Sequence, residues 1–206
     1  MSVVVQDNFL DKNYFQELKN IVFSRKFAWY MFGIIYENPS GSALIKGDPT
    51  NDYQMVHIAF DWHQITSSFY HNLQPMFDAM DLYACHKVKI NLIHREEKII
   101  EHGLHIDIIE APENNLTSIF YMNTNNGYSK FENGDKVESV DNRLVTFPSS
   151  LKHTGTTNNC NAQYRCVMNI NWQRIKENYV MPERLKNSYK EQSLNTWTQN
   201  QTKMEN

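Results

Sequence analysis

The spacing of apolar residues in the first part of the chain predicts two helices. Asp11 can cap the first, over about residues 12–24, and its apolar residues fall on one face: Phe15, Leu18, Ile21 and Val22. The second is predicted over about residues 64–80, where Pro75 should kink the helix or split it in two. Each helix has one apolar face, which indicates that it packs against a core.

From about residue 86 apolar and polar positions alternate, which is typical of β-strands. The run 87–93 shows this alternation clearly, and the dipeptide Asn133-Gly134 predicts a hairpin turn. Further strands are predicted at 98–109, 116–123, 128–131, 136–139, 143–147 and 163–172, with shorter ones at 3–5 and 29–36. Many short strands preceded by helices predict a mainly β fold, a sandwich or barrel braced on one side by N-terminal helices.

No repeat or linker divides the sequence, so we expect a single domain over residues 1–206. Residues 1–85 would supply helical and strand support, and residues 86–172 would form the catalytic β-core. Residues 173–206 read as a polar C-terminal extension, with a candidate helix at about 183–193.

Composition narrows the classes of function. The chain has 206 residues, 41% of them hydrophobic, and a formal net charge of −3. These values fit a folded globular protein without a basic stripe, so nucleic-acid binding is not indicated. Three cysteines without CxxC spacing argue against a disulfide framework and favour reduced thiols in the cytoplasm. With no signal peptide and no long apolar run, no membrane attachment is expected.

The chemistry of the chain centres on a His-x-Asp pair. If residues 98–109 form a strand, His105 and Asp107 point to the same face and can bind one metal ion. His102 would then point to the opposite face. His153, on a later segment, is the leading candidate for a third ligand. Two imidazoles and one carboxylate leave open coordination positions, which suits iron(II) oxygen chemistry.

The pair alone has a simpler interpretation, an ordinary hydrogen-bonded pair in a sheet. Three observations argue for a site instead. Arg165 leads into a core-type strand and could bind the far carboxylate of a dicarboxylate cosubstrate. Asn169 and Asn171 share their face with Arg165, and that face is either a polar interior or the solvent side. Tyr121 could hydrogen-bond the same carboxylate, or be a core tyrosine with its hydroxyl at the rim.

Several motifs in series resemble the iron(II)/2-oxoglutarate-dependent dioxygenases. They are His-Ile-Asp at 105–107, Ile-Phe-Tyr-Met-Asn at 119–123, Asn-Arg-Leu-Val-Thr-Phe-Pro-Ser at 142–149, His-Thr-Gly at 153–155 and the segment 165–171. The resemblance covers about residues 86–172 in order. It is closest to the prolyl 4-hydroxylase-like branch, which includes small phage and bacterial members.

This resemblance implies a double-stranded β-helix, also called a jelly roll or cupin-like fold. His105, Asp107 and His153 match the catalytic metal triad of the family, and Arg165 matches the residue that pairs with 2-oxoglutarate. Tyr121 falls where many members carry a tyrosine that helps to hold the same carboxylate. Members often carry another tyrosine on the strand before the His-x-Asp. Here Asn91 is the candidate for that position, and Asn169 is a further candidate cosubstrate contact.

The implied cofactors are Fe(II), 2-oxoglutarate and O2, with ascorbate as a candidate accessory reductant. The implied activity is hydroxylation of a C–H bond in a peptide, for example at a prolyl residue, or in a small molecule. Two alternatives stay open: a cupin-type metal enzyme that does not use 2-oxoglutarate, and a non-catalytic jelly-roll binding protein. The sequence predicts neither the substrate nor the oligomeric state.

Overall fold

The structure, a computed structural model, describes residues 2–37, 44–46, 53–107 and 114–174. Its helices are α1 (Lys12–Val22), a 3-10 helix (Ser68–Leu73) and α2 (Gln74–Met80). Its first strands are β1 (Val4–Gln6), β2 (Tyr30–Gly33), β3 (Ile35–Glu37), β4 (Leu44–Lys46), β5 (Tyr53–Asp61) and β6 (Gln64–Ile65). The others are β7 (Ala84–His94), β8 (Asn115–Tyr121), β9 (Tyr128–Phe131), β10 (Lys136–Glu138), β11 (Arg143–Pro148), β12 (His153–Gly155) and β13 (Tyr164–Gln173).

The first predicted helix forms as α1, whereas the second is only partly helical and divides at its proline. Asp11 caps α1 by accepting hydrogen bonds from the backbone N–H groups of Asn13 and Tyr14 at 2.9 and 3.2 Å. The predicted helix at 64–80 is replaced by β6, the 3-10 helix and α2. Pro75 lies in the first turn of α2, where its missing N–H leaves no helical hydrogen bond unmade. The chain therefore starts a new helix there.

The described strands form two larger antiparallel sheets. The main sheet has the order β1-β11-β8-β13-β7-β5-β2, with β6 paired to β5. A smaller sheet has the order β10-β9-β12, and β3 pairs with β4. Phe131 and Val137 of the smaller sheet pack in one apolar cluster with Val145, Phe147 and Val167 of the main sheet. The core of the β-domain thus lies between two facing sheets, as in a jelly roll.

A second core lies between the main sheet and the helices. Phe15 and Leu18 of α1, together with Met76 of α2, pack in one buried cluster with Phe120 and Met168 of the main sheet. The Phe15 and Phe120 rings meet edge to face, with centroids 5.7 Å apart. The prediction of a mainly β jelly roll braced by N-terminal helices is confirmed.

The segment before and through the His-x-Asp pair is not the regular strand predicted for 98–109. Within its described part, to residue 107, the backbone makes only isolated bridges, between Glu101 and Thr156 and between His105 and His153. At other positions a side chain takes the place of a backbone acceptor. The N–H of Ile100, for example, donates to Thr157 Oγ1 at 2.9 Å. The segment therefore lies beside β12, but its side chains do not alternate regularly between two faces as they would in a strand.

Among the described residues, no helix has both the length and the apolar character needed to cross a membrane. The C-terminal helix predicted at 183–193 lies outside the described residues.

Candidate active site

The two candidate histidine ligands are direct neighbours across a backbone bridge. The N–H of His105 donates to the carbonyl of His153 at 2.9 Å, and the reverse bond has the same length. The pair brings the two imidazole rings to a centroid separation of 4.9 Å. Residues far apart in sequence are thus held together by main-chain hydrogen bonds, which do not depend on a metal.

Asp107 completes a cluster of three ligand groups. Its Oδ1 lies 3.6 Å from His105 Nε2, and its Oδ2 lies 3.7 Å from His153 Nε2. One ligand atom from each of the three residues lies within 4.8 Å of the others. Two imidazole nitrogens and a carboxylate oxygen at this spacing can converge on one metal ion.

Backbone carbonyls fix which ring nitrogen of each histidine faces the cluster. His105 Nδ1 lies 2.9 Å from the Gly103 carbonyl, and His153 Nδ1 lies 3.4 Å from the Leu151 carbonyl. A carbonyl can only accept, so Nδ1 carries the proton and Nε2 keeps its lone pair for a metal.

The charge state of the cluster also suits metal binding. Burial lowers the pKa of His153 to about 4, against the opposing effect of Asp107, so its imidazole is neutral near pH 7. For Asp107, burial acts to raise the pKa. The surrounding groups, with His153 the largest contributor, outweigh it and lower the pKa to about 2. The site therefore offers a carboxylate and a neutral imidazole at neutral pH.

A chain of polar side chains holds Asp107 in place. Asn171 on β13 donates from Nδ2 to Asp107 Oδ2 at 3.1 Å and lies 3.0 Å from Thr117 Oγ1 on β8. Thr117 in turn donates to Ser149 Oγ at 3.2 Å. The sequence pattern placed Asn171 on the face of Arg165 but gave no signal for Thr117 or Ser149, which reach the site only through pairing of distant strands.

One cavity extends from the two histidines to Arg165. Its walls come mainly from β7, β13 and the smaller sheet. They include His105, His153, His102, Arg165, Ser129, Gly155, Lys89, Asn91, Ile93, Val167 and Asn169. The two candidate histidine ligands and the candidate cosubstrate arginine therefore line the same cavity.

Arg165 is a buried cation at the end of this cavity. Its side chain is 2% exposed, with Nε donating to Ser139 Oγ at 2.8 Å and Nη2 to Ser129 Oγ at 3.0 Å. No carboxylate of the described residues lies within ion-pair distance of it. Burial lowers its pKa from the ordinary value. A buried guanidinium held by neutral hydroxyls has the chemistry to bind an anion.

Two glycines make room for this guanidinium. A Cβ on Gly155 would lie 3.1 Å from Arg165 Nη1. A Cβ on Gly127 would lie 2.8 Å from Arg165 Cδ and 2.7 Å from the Thr157 carbonyl oxygen. The backbone thus approaches Arg165 more closely than a side chain at either position would allow.

Tyr121 lies against Arg165 and contacts it through Ser129. Its hydroxyl donates to Ser129 Oγ at 2.8 Å, and the Arg165 guanidinium carbon lies 5.6 Å from its ring centroid. Ser129 accepts from both residues, which leaves its own hydroxyl proton free to donate into the cavity. Sequence reasoning missed Ser129 and Ser139.

Asn91, Asn169 and His102 also line the cavity. The Oδ1 atoms of Asn91 and Asn169 are buried and have no hydrogen-bond partner among the described residues. The placement of His102 corrects the expectation that it faces away from both ligands. Its segment is not a regular strand, so side chains there do not alternate strictly between two faces.

No family model and no curated protein matches this sequence, whereas solved structures do match the fold. An oxidoreductase of the 2OG-Fe(II) oxygenase family from Burkholderia pseudomallei matches with a TM-score of 0.54 and 11% identity, over 84% of this chain and 86% of that one. The epimerase SnoN, in complex with Fe3+, alpha ketoglutarate and nogalamycin RO, matches with a TM-score of 0.54 and 12% identity, over 84% and 78%. A prolyl-4-hydroxylase from Pseudomonas putida matches with a TM-score of 0.48 and 14% identity, over 84% and 93%.

At these identities the likeness concerns the fold. The sheets, the bracing helices and the bridge between His105 and His153 occur in a chain whose motifs resemble the same superfamily. The chain therefore has the double-stranded β-helix fold of the 2OG-Fe(II) oxygenases, as its sequence motifs predict.

Proposed function

We propose that this protein is an iron(II)- and 2-oxoglutarate-dependent oxygenase. The observation that carries the proposal is the pairing of two features in one cavity. At one end are two histidines with free Nε2 atoms beside a carboxylate, and at the other end is a buried arginine without an acidic partner among the described residues. A metal-chelating molecule with a distal carboxylate would satisfy both ends.

The donor set fits iron(II). His105, Asp107 and His153 would hold the metal, since they present two imidazoles, of which that of His153 is neutral, and one ionised carboxylate. Three protein ligands leave positions for a bidentate cosubstrate and for oxygen. When bound, iron(II) supplies the redox chemistry by which O2 and 2-oxoglutarate oxidise a substrate C–H bond.

The protein's own groups would bind and orient the cosubstrate. Arg165 would pair with its distal carboxylate, and Ser129 would donate to the same carboxylate from its free hydroxyl proton. Val167 and Ile93 supply apolar wall to the cavity, which would limit access of water to the carbon chain of the cosubstrate. Asn91 and Asn169, the further cosubstrate contacts suggested by the sequence, line the same cavity but are not needed to match either carboxylate of 2-oxoglutarate.

Hydroxylation is the reaction we propose within this class. A substrate C–H, 2-oxoglutarate and O2 would give the alcohol, succinate and carbon dioxide, with one oxygen atom in the alcohol and the other in succinate. The SnoN match is an epimerase, so the outcome at the substrate carbon needs its own test. A prolyl residue in a peptide and a small molecule are both candidate substrates, and ascorbate is a candidate accessory reductant.

The two alternative functions explain less of the site. A metal enzyme that does not use 2-oxoglutarate would leave the buried charge of Arg165 without an anion. A non-catalytic binding protein would have no use for two histidines whose Nε2 atoms both face one carboxylate.

The test is turnover of the cosubstrate. Protein purified without oxygen is supplied with iron(II), 2-oxoglutarate and O2, and succinate is measured by chromatography. We expect iron-dependent succinate release that His153→Ala abolishes. Succinate release that is indifferent to iron, or to His153→Ala, would overturn the proposal.

A further inference from the structure

Lys89, Asn91 and Asn169 form a polar cluster on the wall of the active-site cavity. Lys89 is paired with Asn169 across strands β7 and β13, and Asn91 is paired with Val167 one step along the same face. Cross-strand partners have side chains about 5 Å apart on one face of a sheet. All three polar residues line the cavity, so they present their groups together to its contents.

None of these groups has its natural partner in the described part of the chain. The Oδ1 atoms of Asn91 and Asn169 are buried and accept no hydrogen bond. Lys89 Nζ has no carboxylate within ion-pair distance there, whereas its strand neighbour Lys87 lies 3.2 Å from Asp61 Oδ1. Buried polar groups are normally satisfied, so two unmet buried acceptors, beside a lysine without a carboxylate partner among the described residues, indicate a missing ligand.

A charge count shows that the cosubstrate does not account for this cluster. The described cavity region holds the cations Lys89 and Arg165 and, next to it, the carboxylate of Asp107. With both imidazoles binding a divalent metal through Nε2, the metal and dianionic 2-oxoglutarate leave a net charge of about +1. The two carboxylates of 2-oxoglutarate are already matched, one by Arg165 and the other by the metal. Burial lowers the pKa of Lys89, and in its charged form Lys89 is a surplus cation among the described groups.

We infer that Lys89, Asn91 and Asn169 bind the oxidisable substrate, and that this substrate is a free α-amino acid. Its carboxylate would pair with Lys89, and its amino N–H groups would donate to the amide oxygens of Asn91 and Asn169. The inference rests on the proposed function, because the charge count includes the metal and 2-oxoglutarate. A prolyl residue inside a peptide offers neither a carboxylate nor an N–H at its ring, so it matches the cluster poorly.

The experiment uses the full chain with Mn(II) and 2-oxoglutarate under anaerobic conditions, so that binding is measured without turnover. The probes are the standard L-amino acids, each paired with its own α-carboxamide, which differs mainly by the loss of one negative charge. Thermal-shift measurements screen the pairs, since a ligand that binds the native state raises its stability. Titration calorimetry then gives the dissociation constants of the best pair.

We expect at least one acid to bind about tenfold or more tightly than its amide, the difference that one charge-assisted hydrogen bond provides. Lys89→Met should bring the ratio of the amide and acid dissociation constants close to one, and Lys89→Arg should preserve most of the wild-type ratio. Lys87→Met is the matched control, because it removes a cation from the same strand outside the cavity lining, and it should leave the ratio unchanged. Asn169→Asp should abolish the preference by placing a carboxylate opposite Lys89.

Three results would overturn the inference. The first is that no acid binds more tightly than its amide. The second is that Lys89→Met keeps the wild-type ratio of the amide and acid dissociation constants. The third is that Lys89→Met weakens the binding of 2-oxoglutarate as much as Arg165→Met does. The third would assign Lys89 to the cosubstrate. If 2-oxoglutarate does not bind the wild-type Mn(II) protein, the proposed function fails and the inference fails with it. If it binds but acids and amides are equivalent, only the inference fails.

Discussion

Asn171 donates a hydrogen bond to Asp107 at 3.1 Å and thereby ties the candidate metal carboxylate to the buried strand β13. Asp107 itself lies in an irregular segment, at a bend two residues beyond the last backbone bridge. Its position therefore depends on side-chain contacts more than on strand pairing. Among the described residues, Asn171 is the one that hydrogen-bonds Asp107 and so connects it to the main sheet.

We predict that Asn171→Leu weakens metal binding about 10- to 100-fold, because outer groups that orient a ligand have effects of this size. Stability should fall by about 1–3 kcal/mol, since the buried carboxylate loses a donor. Mn(II) titration and urea unfolding measure the two effects. Asn115→Ala, which removes another buried side-chain amide from the same sheet, should not change metal affinity. Equal metal affinity in Asn171→Leu and wild type would contradict this account of Asp107.

Gly155→Ala should weaken 2-oxoglutarate binding several-fold while leaving the metal affinity unchanged. The added Cβ would lie 3.1 Å from Arg165 Nη1, so the guanidinium must shift by a few tenths of an ångström. Calorimetric titrations with the metal and with 2-oxoglutarate separate the two effects.

Gly134→Ala is the control for that substitution. Gly134 has nothing within 4 Å of an added Cβ, but its φ is +93°. We expect a stability loss of about 1 kcal/mol from backbone strain and no change in 2-oxoglutarate affinity. A Gly155→Ala protein with wild-type affinity would show that the position of Arg165 does not matter for the ligand.

Ser129→Ala should lower 2-oxoglutarate affinity about tenfold, because it removes the acceptor of both Tyr121 and Arg165 and a donor to the ligand. Tyr121→Phe should have a smaller effect, since the Tyr121 hydroxyl contacts Ser129. The double variant should be no worse than Ser129→Ala alone, because both changes act through one group. Additive losses would instead support direct contact of Tyr121 with the carboxylate, as the sequence resemblance implies.

Glu101 gives a prediction for pH. Hydrogen bonds from Lys130, then from Tyr128, lower the pKa of Glu101 to about 2 from its ordinary value near 4.5. A lowered pKa of an acid means that the native state favours the ionised form. Its stabilising contribution is therefore complete above about pH 4.5 and is lost as the pH falls towards 2.

Glu101→Gln should accordingly destabilise the protein at pH 7 by no more than about 1 kcal/mol, because Glu101 is partly exposed and solvent screens the pair. The difference from wild type should shrink between about pH 5 and pH 3 in urea unfolding experiments. Glu17→Gln on the exposed face of α1 is the control and should show no such trend. A wild-type advantage that grows on acidification would contradict the assigned direction.

The sequence predicted the elements whose signals are local. The cap at Asp11, the two-residue alternation of β7 and the turn at Asn133-Gly134 all depend on neighbouring residues, and the structure contains each of them. Strand β5 was not predicted, although it pairs with β7 over most of its length. Its sequence mixes polar and apolar residues, and its place in the sheet is decided by distant partners.

The irregular segment through His105 shows a different limit. A β-prone sequence indicated a strand, but only isolated bridges form, and His102 consequently lines the cavity. The hydroxyls that hold Arg165 were also beyond prediction. Ser129 and Ser139 precede Arg165 by 36 and 26 residues, and only the folded sheets bring them to the guanidinium.

The central claim is that one cavity binds a metal at His105, Asp107 and His153 and a dicarboxylate at Arg165. Calorimetric titration of 2-oxoglutarate into the anaerobic protein, with and without Mn(II), tests it most directly. We predict that binding requires the metal, is lost in His153→Ala, and weakens about 10- to 100-fold in Arg165→Met with metal affinity unchanged. Binding that is equally tight without metal, or equally tight in Arg165→Met, would contradict the claim.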